Sequence, residues 1–186
     1  MTDWFTTRDG LLGQVWRCLA DGVADASAPA RHPVLATIGL GGGPEARTVV
    51  LRAADRSAGT VQVHTDSAST KVVELAANPQ AALHIWEAGV HLQIRLRGVV
   101  EVVQGSTTAA LWSRVPDGSR ASYGVTPAPG TPIATADAYQ RTSDPARFAV
   151  LVLTIDQIDA VHLSGDYHRR ALYSRHDEWH GAWLAP

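Results

Sequence analysis

Leu11, Val15, Leu19 and Val23 recur every four residues, with Leu12 and Trp16 beside them. That spacing lays one apolar stripe along a helix and predicts an amphipathic helix over residues 8–24. The Ala- and Pro-rich stretch 26–33 breaks it. Beyond this point the apolar runs become short and strand-like. Residues 34–40 and 46–53 are two such runs joined by Gly41-Gly42-Gly43-Pro44, a sequence suited to a hairpin turn. A third strand is predicted over 60–64, after the turn-prone stretch 55–59.

Residues 69–77 read as a short helix, with Ser69 placed to cap its start, Glu74 inside it and Asn78-Pro79 ending it. Strands are predicted at 80–86 and 91–103. In the second, Leu92, Ile94 and Leu96 alternate with Gln93, Arg95 and Arg97, the mark of a strand with one buried and one polar face. Residues 107–115 read as helical. The stretch 116–132 holds four prolines and three glycines, which predicts a long ordered loop, and such loops are often functional. A helix is expected at 135–142. The continuous apolar run 148–155 fits a buried strand, and 167–173 and 178–184 are read as two closing strands.

About eight strands with short helices between them, and no alternation of strand and helix, favour a mainly β fold: a closed or partly closed barrel rather than a doubly wound sheet. No internal repeat or linker interrupts the chain, so residues 1–186 are expected to form one domain.

Composition narrows the function. The net charge is −2, and the cations are scattered rather than gathered in a stripe, which argues against a nucleic-acid surface. Cys18 is the only cysteine, so no disulfide forms within the chain. The N-terminus lacks a basic region followed by an apolar stretch, and no apolar run approaches the ~20 residues a membrane helix needs. The expectation is a cytoplasmic protein with no membrane partner.

Candidate chemistry gathers between residues 46 and 79. Arg47 and Arg52 flank Thr48, Val49, Val50 and Leu51, and Thr65, Ser67, Ser69, Thr70 and Lys71 follow at a turn that opens a helix. Hydroxyls and a lysine at a helix N-terminus are the ingredients of a phosphate site, because free N–H groups and the helix dipole favour an anion there. An arginine on a neighbouring strand adds a bidentate donor. The alternative is an ordinary capped helix beside solvated arginines.

Taken in order, Arg47-Thr48-Val49-Val50-Leu51-Arg52, then His64 to Lys71, then Asn78-Pro79 resemble the FMN-binding core of the pyridoxamine 5′-phosphate oxidase family. Gln93 followed by Gly98 is similar to that family's Gln-x-x-x-x-Gly strand, and His168 to Tyr173 to its His-x-Arg-x-x-Tyr motif. The resemblance implies an FMN-binding split β-barrel, Greek-key-like and homodimeric, with the flavin at the subunit interface. Carried over by position, Arg47, Ser69 and Lys71 surround the FMN phosphate, with Thr65 nearby. The backbone of Thr48, Val49, Val50 and Leu51 runs beside the flavin. Gln93 reaches the ring, and Arg170 reaches it from the neighbouring subunit. Arg52, His64 and Thr70 complete the implied cofactor set.

For a small-molecule substrate the resemblance implies Arg52, Arg114, Ser119 and His168, and it assigns no catalytic acid or base. Here the sequence departs from the oxidases. Ala110 stands at the position of a tyrosine that holds the substrate phosphate, and Asp166-Tyr167-His168 stands where the oxidases carry Arg-x-His. The expected function is transfer of a hydride between a small organic substrate and FMN. The alternative is a non-catalytic protein that stores or senses FMN. No metal site is expected: His176 and His180 lie in a region read as strand and turn, where that spacing does not put both on one face.

Overall fold

The computed structural model describes residues 3–163, 165 and 167–186. Asp166 and Ser164 therefore lie outside the described residues. After a 3₁₀ turn at Trp4–Thr6, helix α1 (Arg8–Ala24) is capped by Thr7, whose hydroxyl accepts from the Gly10 N–H at 3.1 Å. It buries Leu11, Leu12, Val15, Trp16 and Leu19, the stripe that the four-residue spacing predicts. No helix among the described residues is long and apolar enough to cross a membrane.

The remainder is mainly β. Strands β1 (Val34–Ile38), β2 (Pro44–Thr48), β3 (Leu51–Asp55) and β4 (Thr60–Asp66) precede helix α2 (Thr70–Ala77). Then come β5 (Gln80–Glu87), β6 (Leu92–Gln104), two short helices α3 (Ala109–Trp112) and α4 (Asp117–Arg120), and a small ribbon of β7 (Val125–Thr126) with β8 (Gln140–Arg141). The chain closes with β9 (Phe148–His162), β10 (Arg169–Ser174) and β11 (Ala182–Leu184).

Nine strands form one sheet in the order β11-β10-β9-β6-β5-β1-β2, with β4 joined to β9 and β3 to β4. Every pairing in it is antiparallel. The organising element is β9. Its first half pairs with β4, its second half with β10, and its other edge with β6 throughout. Between Arg97 and Gly98 the β6–β9 register slips at a bulge. A Cβ at residue 98 would sit 1.9 Å from the Thr154 carbonyl oxygen, so only glycine fits this close approach.

Two sequence expectations fail for physical reasons. The apolar run 46–53 is not one strand: β2 pairs with β1 and β3 with β4, and only Val49 and Val50 separate them. A strand that changes its ladder partner has to break, and here it breaks where Leu51 turns fully into the core. Nor is 135–142 a helix. It consists of bends leading into β8, and residues 131–143 are exposed throughout, so a helix would have no apolar face to bury. The stretch read as a loop at 116–132 holds short regular pieces, α4 and β7, and elsewhere the differences are of extent. The helix read at 107–115 is a 3₁₀ turn, Gly105–Thr108, running into α3, and the strand read at 178–184 forms only at Ala182–Leu184.

The core lies between α1 and the inner face of the sheet. Leu51, Leu83, Leu92, Ile94, Ile155 and Tyr173 are among its largest fully buried side chains, with Tyr173 donating its hydroxyl to the Arg8 carbonyl at 2.7 Å. A second small cluster of Val115, Tyr123, Phe148 and Val150, with Trp112 against it, anchors the segment that follows β6.

Candidate functional site

Where β2 hands over to β3, the chain passes the N-terminus of α2, and the cations noted above come together there. Arg47 leaves β2, Thr65 ends β4, Ser69 precedes α2, and Lys71 stands in its first turn. Lys71 Nζ donates to Thr65 Oγ1 at 3.1 Å, and Thr65 Oγ1 lies 3.2 Å from Ser69 Oγ. Ser69 occupies the N-cap position but its side chain does not cap the helix. Its hydroxyl faces Thr65 and the cleft, leaving the first turn of α2 without a side-chain acceptor. That corrects the expectation of an ordinary Ser69 cap.

These groups line a cleft of about 360 Å³, together with Thr48, Val49, Val50, Arg52 and His64 from the crossover and β4. Ser119, Ser122, Tyr123 and Pro129 close it from the segment after α3. Leu51 does not line the cleft: its side chain is in the core. Thr70 faces an adjoining recess rather than the cleft.

Two buried carboxylates organise the cleft, and neither was singled out in the sequence as functional. Glu74, 3% exposed, accepts from Arg47 at 2.9 Å and from the Thr37 hydroxyl at 2.6 Å. Arg47 also donates to Thr37, so its guanidinium is held rigidly at the cleft. Asp66 accepts from the Ala68 N–H at 2.8 Å, the Gly124 N–H at 2.8 Å and Arg147 at 2.7 Å. It thereby ties the segment that carries Ser119, Ser122 and Tyr123 to the end of β4. A lone acidic residue in a helix or at a strand end carries no local signal for such partners.

The electrostatics favour an anion. Burial, and then the charge of Arg47, lower the Lys71 pKa against the opposing pull of Glu74 and Asp66, and an anion between the two cations would favour the charged lysine. His64 packs edge-on against Phe148 with ring centroids 4.9 Å apart. Burial, helped by Arg52, pushes its pKa down to about 4, so it is neutral at pH 7. The unfolded chain takes up this proton near 6.5 and the folded chain only near 4. Stability is therefore expected to fall as the pH drops through that interval and to gain nothing from this group above it. Urea midpoints at pH 7.5 and 5 test this: His64→Gln should show a smaller loss than the wild type, and an equal loss would contradict it.

The remaining expected site residues stand apart from the cleft. Gln93 on β6 faces Trp86 on β5 and Val161 on β9, and Arg170 on β10 is also opposite Val161. Arg170 is bound by the buried Asp159 at 2.9 and 3.1 Å, and Arg95 shares that carboxylate. Burial opposes ionisation of Asp159, but its bonds to Arg170 and Arg95 outweigh this and hold its pKa low. His168 is exposed just before β10. Arg114 lines a second cavity, of about 380 Å³, which shares Arg52 and His64 with the first. Ser119 and Arg114 thus open onto different cavities.

Residues 14–104 match the family model described as the pyridoxamine 5′-phosphate oxidase FMN-binding domain. Over this stretch, just under half of its length, the chain is similar to that family. The matched domain, an FMN-binding one, contains Arg47 to Lys71 and Gln93, and it ends before the segment that closes the cleft. A pyridoxine/pyridoxamine 5′-phosphate oxidase of Arabidopsis thaliana is 29% identical over 165 residues, covering 80% of this chain and 83% of the relative. One from Thermosynechococcus vestitus is 43% identical over 86 residues, but these are only 46% of this chain and 40% of its own length. Among solved structures, a pyridoxamine 5′-phosphate oxidase-related, FMN binding protein from Nostoc punctiforme aligns with a TM-score of 0.77. It is 25% identical, with 94% of this chain and 96% of that one covered. PhzG from Burkholderia lata, at 21% identity and a TM-score of 0.75 over 94% and 92% of the two chains, shares the fold.

Proposed function

We propose that the chain is an FMN-dependent oxidoreductase in which the cleft holds the flavin phosphate and a small organic substrate exchanges a hydride with the flavin. The observation that carries this reading is the donor set. Lys71, Arg47, Thr65 and Ser69 converge on the uncapped start of α2, and a phosphate dianion needs cations, hydroxyls and N–H groups at one point. The Thr48–Val50 stretch beside it presents an apolar edge suited to a flat ring. Bound there, FMN supplies the electron chemistry. The protein holds and orients it, and controls access to it.

A split-barrel homodimer accounts for the residues that the single chain leaves apart. Trp86, Gln93, Val161 and Arg170 form one row across four neighbouring strands. In the next row Thr48, at the cleft, shares a face with Val34, His84 and Arg95. Val34, Ile38 and Trp86 are exposed on that face. A second subunit packed against it would cover this apolar surface and bring its own Gln93 and Arg170 row toward the cleft. Light scattering on a sizing column should give twice the chain mass; a monomer at micromolar concentration would contradict the dimer.

Lys71→Ala isolates the phosphate contact, because Lys71 carries no buried ion pair of its own. FMN affinity should fall by about 1.5–3 kcal/mol, the range for a hydrogen bond to a charged group. Flavin-fluorescence titration reads this directly, and unchanged affinity would remove Lys71 from the site. Peroxide release on mixing the flavin-loaded protein with pyridoxine or pyridoxamine 5′-phosphate tests the activity. No turnover with these or other donors would favour flavin storage or sensing instead.

A further inference from the structure

Behind the wall formed by Arg52 and His64, the second cavity has a chemistry unlike that of the first. Its other walls come from Val23 at the end of α1, Gln62 on β4, and Leu111, Arg114 and Val115 of α3 and the turn after it. The flavin cleft is lined by serines, threonines and a lysine, whereas no hydroxyl and no lysine lines the second cavity. Pro116 at its rim has no N–H to donate. The cavity therefore lacks the clustered donors that saturate phosphate oxygens.

What it does offer is two guanidinium groups beside an apolar wall. A third, that of Arg31, is already committed to the Gly22 and Val23 carbonyls at 3.3 and 3.0 Å. Arg52 presents a buried Nε with no partner, and the Tyr123 hydroxyl lies against its guanidinium from the side of the first cleft. No acceptor among the described residues holds the Arg114 guanidinium at the mouth. Planar guanidinium forks match carboxylates two bonds at a time, and an apolar wall rewards a ligand with an apolar body.

We propose that this cavity binds a small organic carboxylate with an apolar, ring-sized body. The carboxylate sits on Arg52 and Arg114, and the body rests against Val23, Leu111 and Val115. Tyr123 acts as a positioning residue, fixing Arg52 at the wall between the two cavities. The inference rests on the flavin reading in one respect: with FMN in the first cleft, this ligand would be the substrate beside it.

The probe is 2-naphthoate, titrated by calorimetry into the FMN-loaded protein, with absorbance near 450 nm recording flavin occupancy in the same sample. Binding of 2-naphthoate is expected, weakened by about tenfold or more in Arg114→Gln while that variant keeps its FMN. Tyr123→Phe should weaken it less, as expected of a residue that acts through Arg52. A flavin-loaded protein that ignores 2-naphthoate overturns the inference and leaves the flavin reading intact. Tighter binding of pyridoxal 5′-phosphate, lost in Arg114→Gln, overturns it in favour of a phosphate ester. Equal 2-naphthoate affinity in wild type and Arg114→Gln also overturns it. If the protein fails to hold FMN, the flavin reading fails, and the same titration on the flavin-free protein decides the cavity on its own.

Discussion

Asp66→Ala is expected to destabilise the protein by about 3 kcal/mol or more, because it strands one guanidinium and two N–H groups that share a single buried acceptor. Asp66 is 5% exposed, and Arg147, the Ala68 N–H and the Gly124 N–H all converge on it. Arg147 is partly exposed, so water recovers some of its loss, but the Gly124 N–H bond is buried. The consequence extends beyond stability. The Gly124 bond ties down the segment bearing Ser119, Ser122 and Tyr123, so the variant should also bind FMN more weakly. Urea unfolding without flavin gives the first quantity and flavin titration the second. An unchanged urea midpoint would show that the segment is held mainly by the packing of Tyr123 on Phe148 and Trp112.

Arg47→Ala should remove two things at once. Without the guanidinium, Glu74 remains buried with only the Thr37 hydroxyl donating to it, a loss of about 3 kcal/mol for a carboxylate that has lost its ion-pair partner. The phosphate also loses its strand-borne cation, so FMN affinity should fall at least as far as in Lys71→Ala. The two effects can be separated. Arg47→Met combined with Glu74→Gln removes both members of the ion pair, and replacing both partners is far less costly than removing one. Stability should largely return in the double variant while FMN affinity stays low. If affinity returned with stability, Arg47 would be a structural residue only.

How much of this was legible in the sequence depended on how local each signal was. Helix α1 shows in its four-residue apolar spacing and β6 in its strict alternation, since each buries one face in the core and leaves the other more open. The break between β2 and β3 did not show, because Val49 and Val50 are as apolar as the strands they join. Only the change of partner from β1 to β4 divides the run. The 135–142 segment has residues a helix tolerates but no surface to pack on, and a tertiary requirement of that kind leaves no local mark. The cationic side of the cleft could be read because Ser69 and Lys71 sit at a helix start that turn and cap residues announce. Its carboxylates could not. Glu74 finds Arg47 from 27 positions away, and Asp66 finds Arg147 from 81 away. The segment closing the cleft is equally silent: Tyr123 stands among prolines and glycines, and its place against Arg52 depends on Phe148 packing beneath it.

The visible absorption spectrum of the purified protein, followed by chromatography of whatever cofactor it releases, tests the central claim most directly. A flavin spectrum, with FMN released on denaturation or taken up stoichiometrically when added, is the predicted result. A colourless protein that also fails to bind added FMN would mean that the Arg47 and Lys71 cluster holds no flavin phosphate, and the oxidoreductase reading would fall with it.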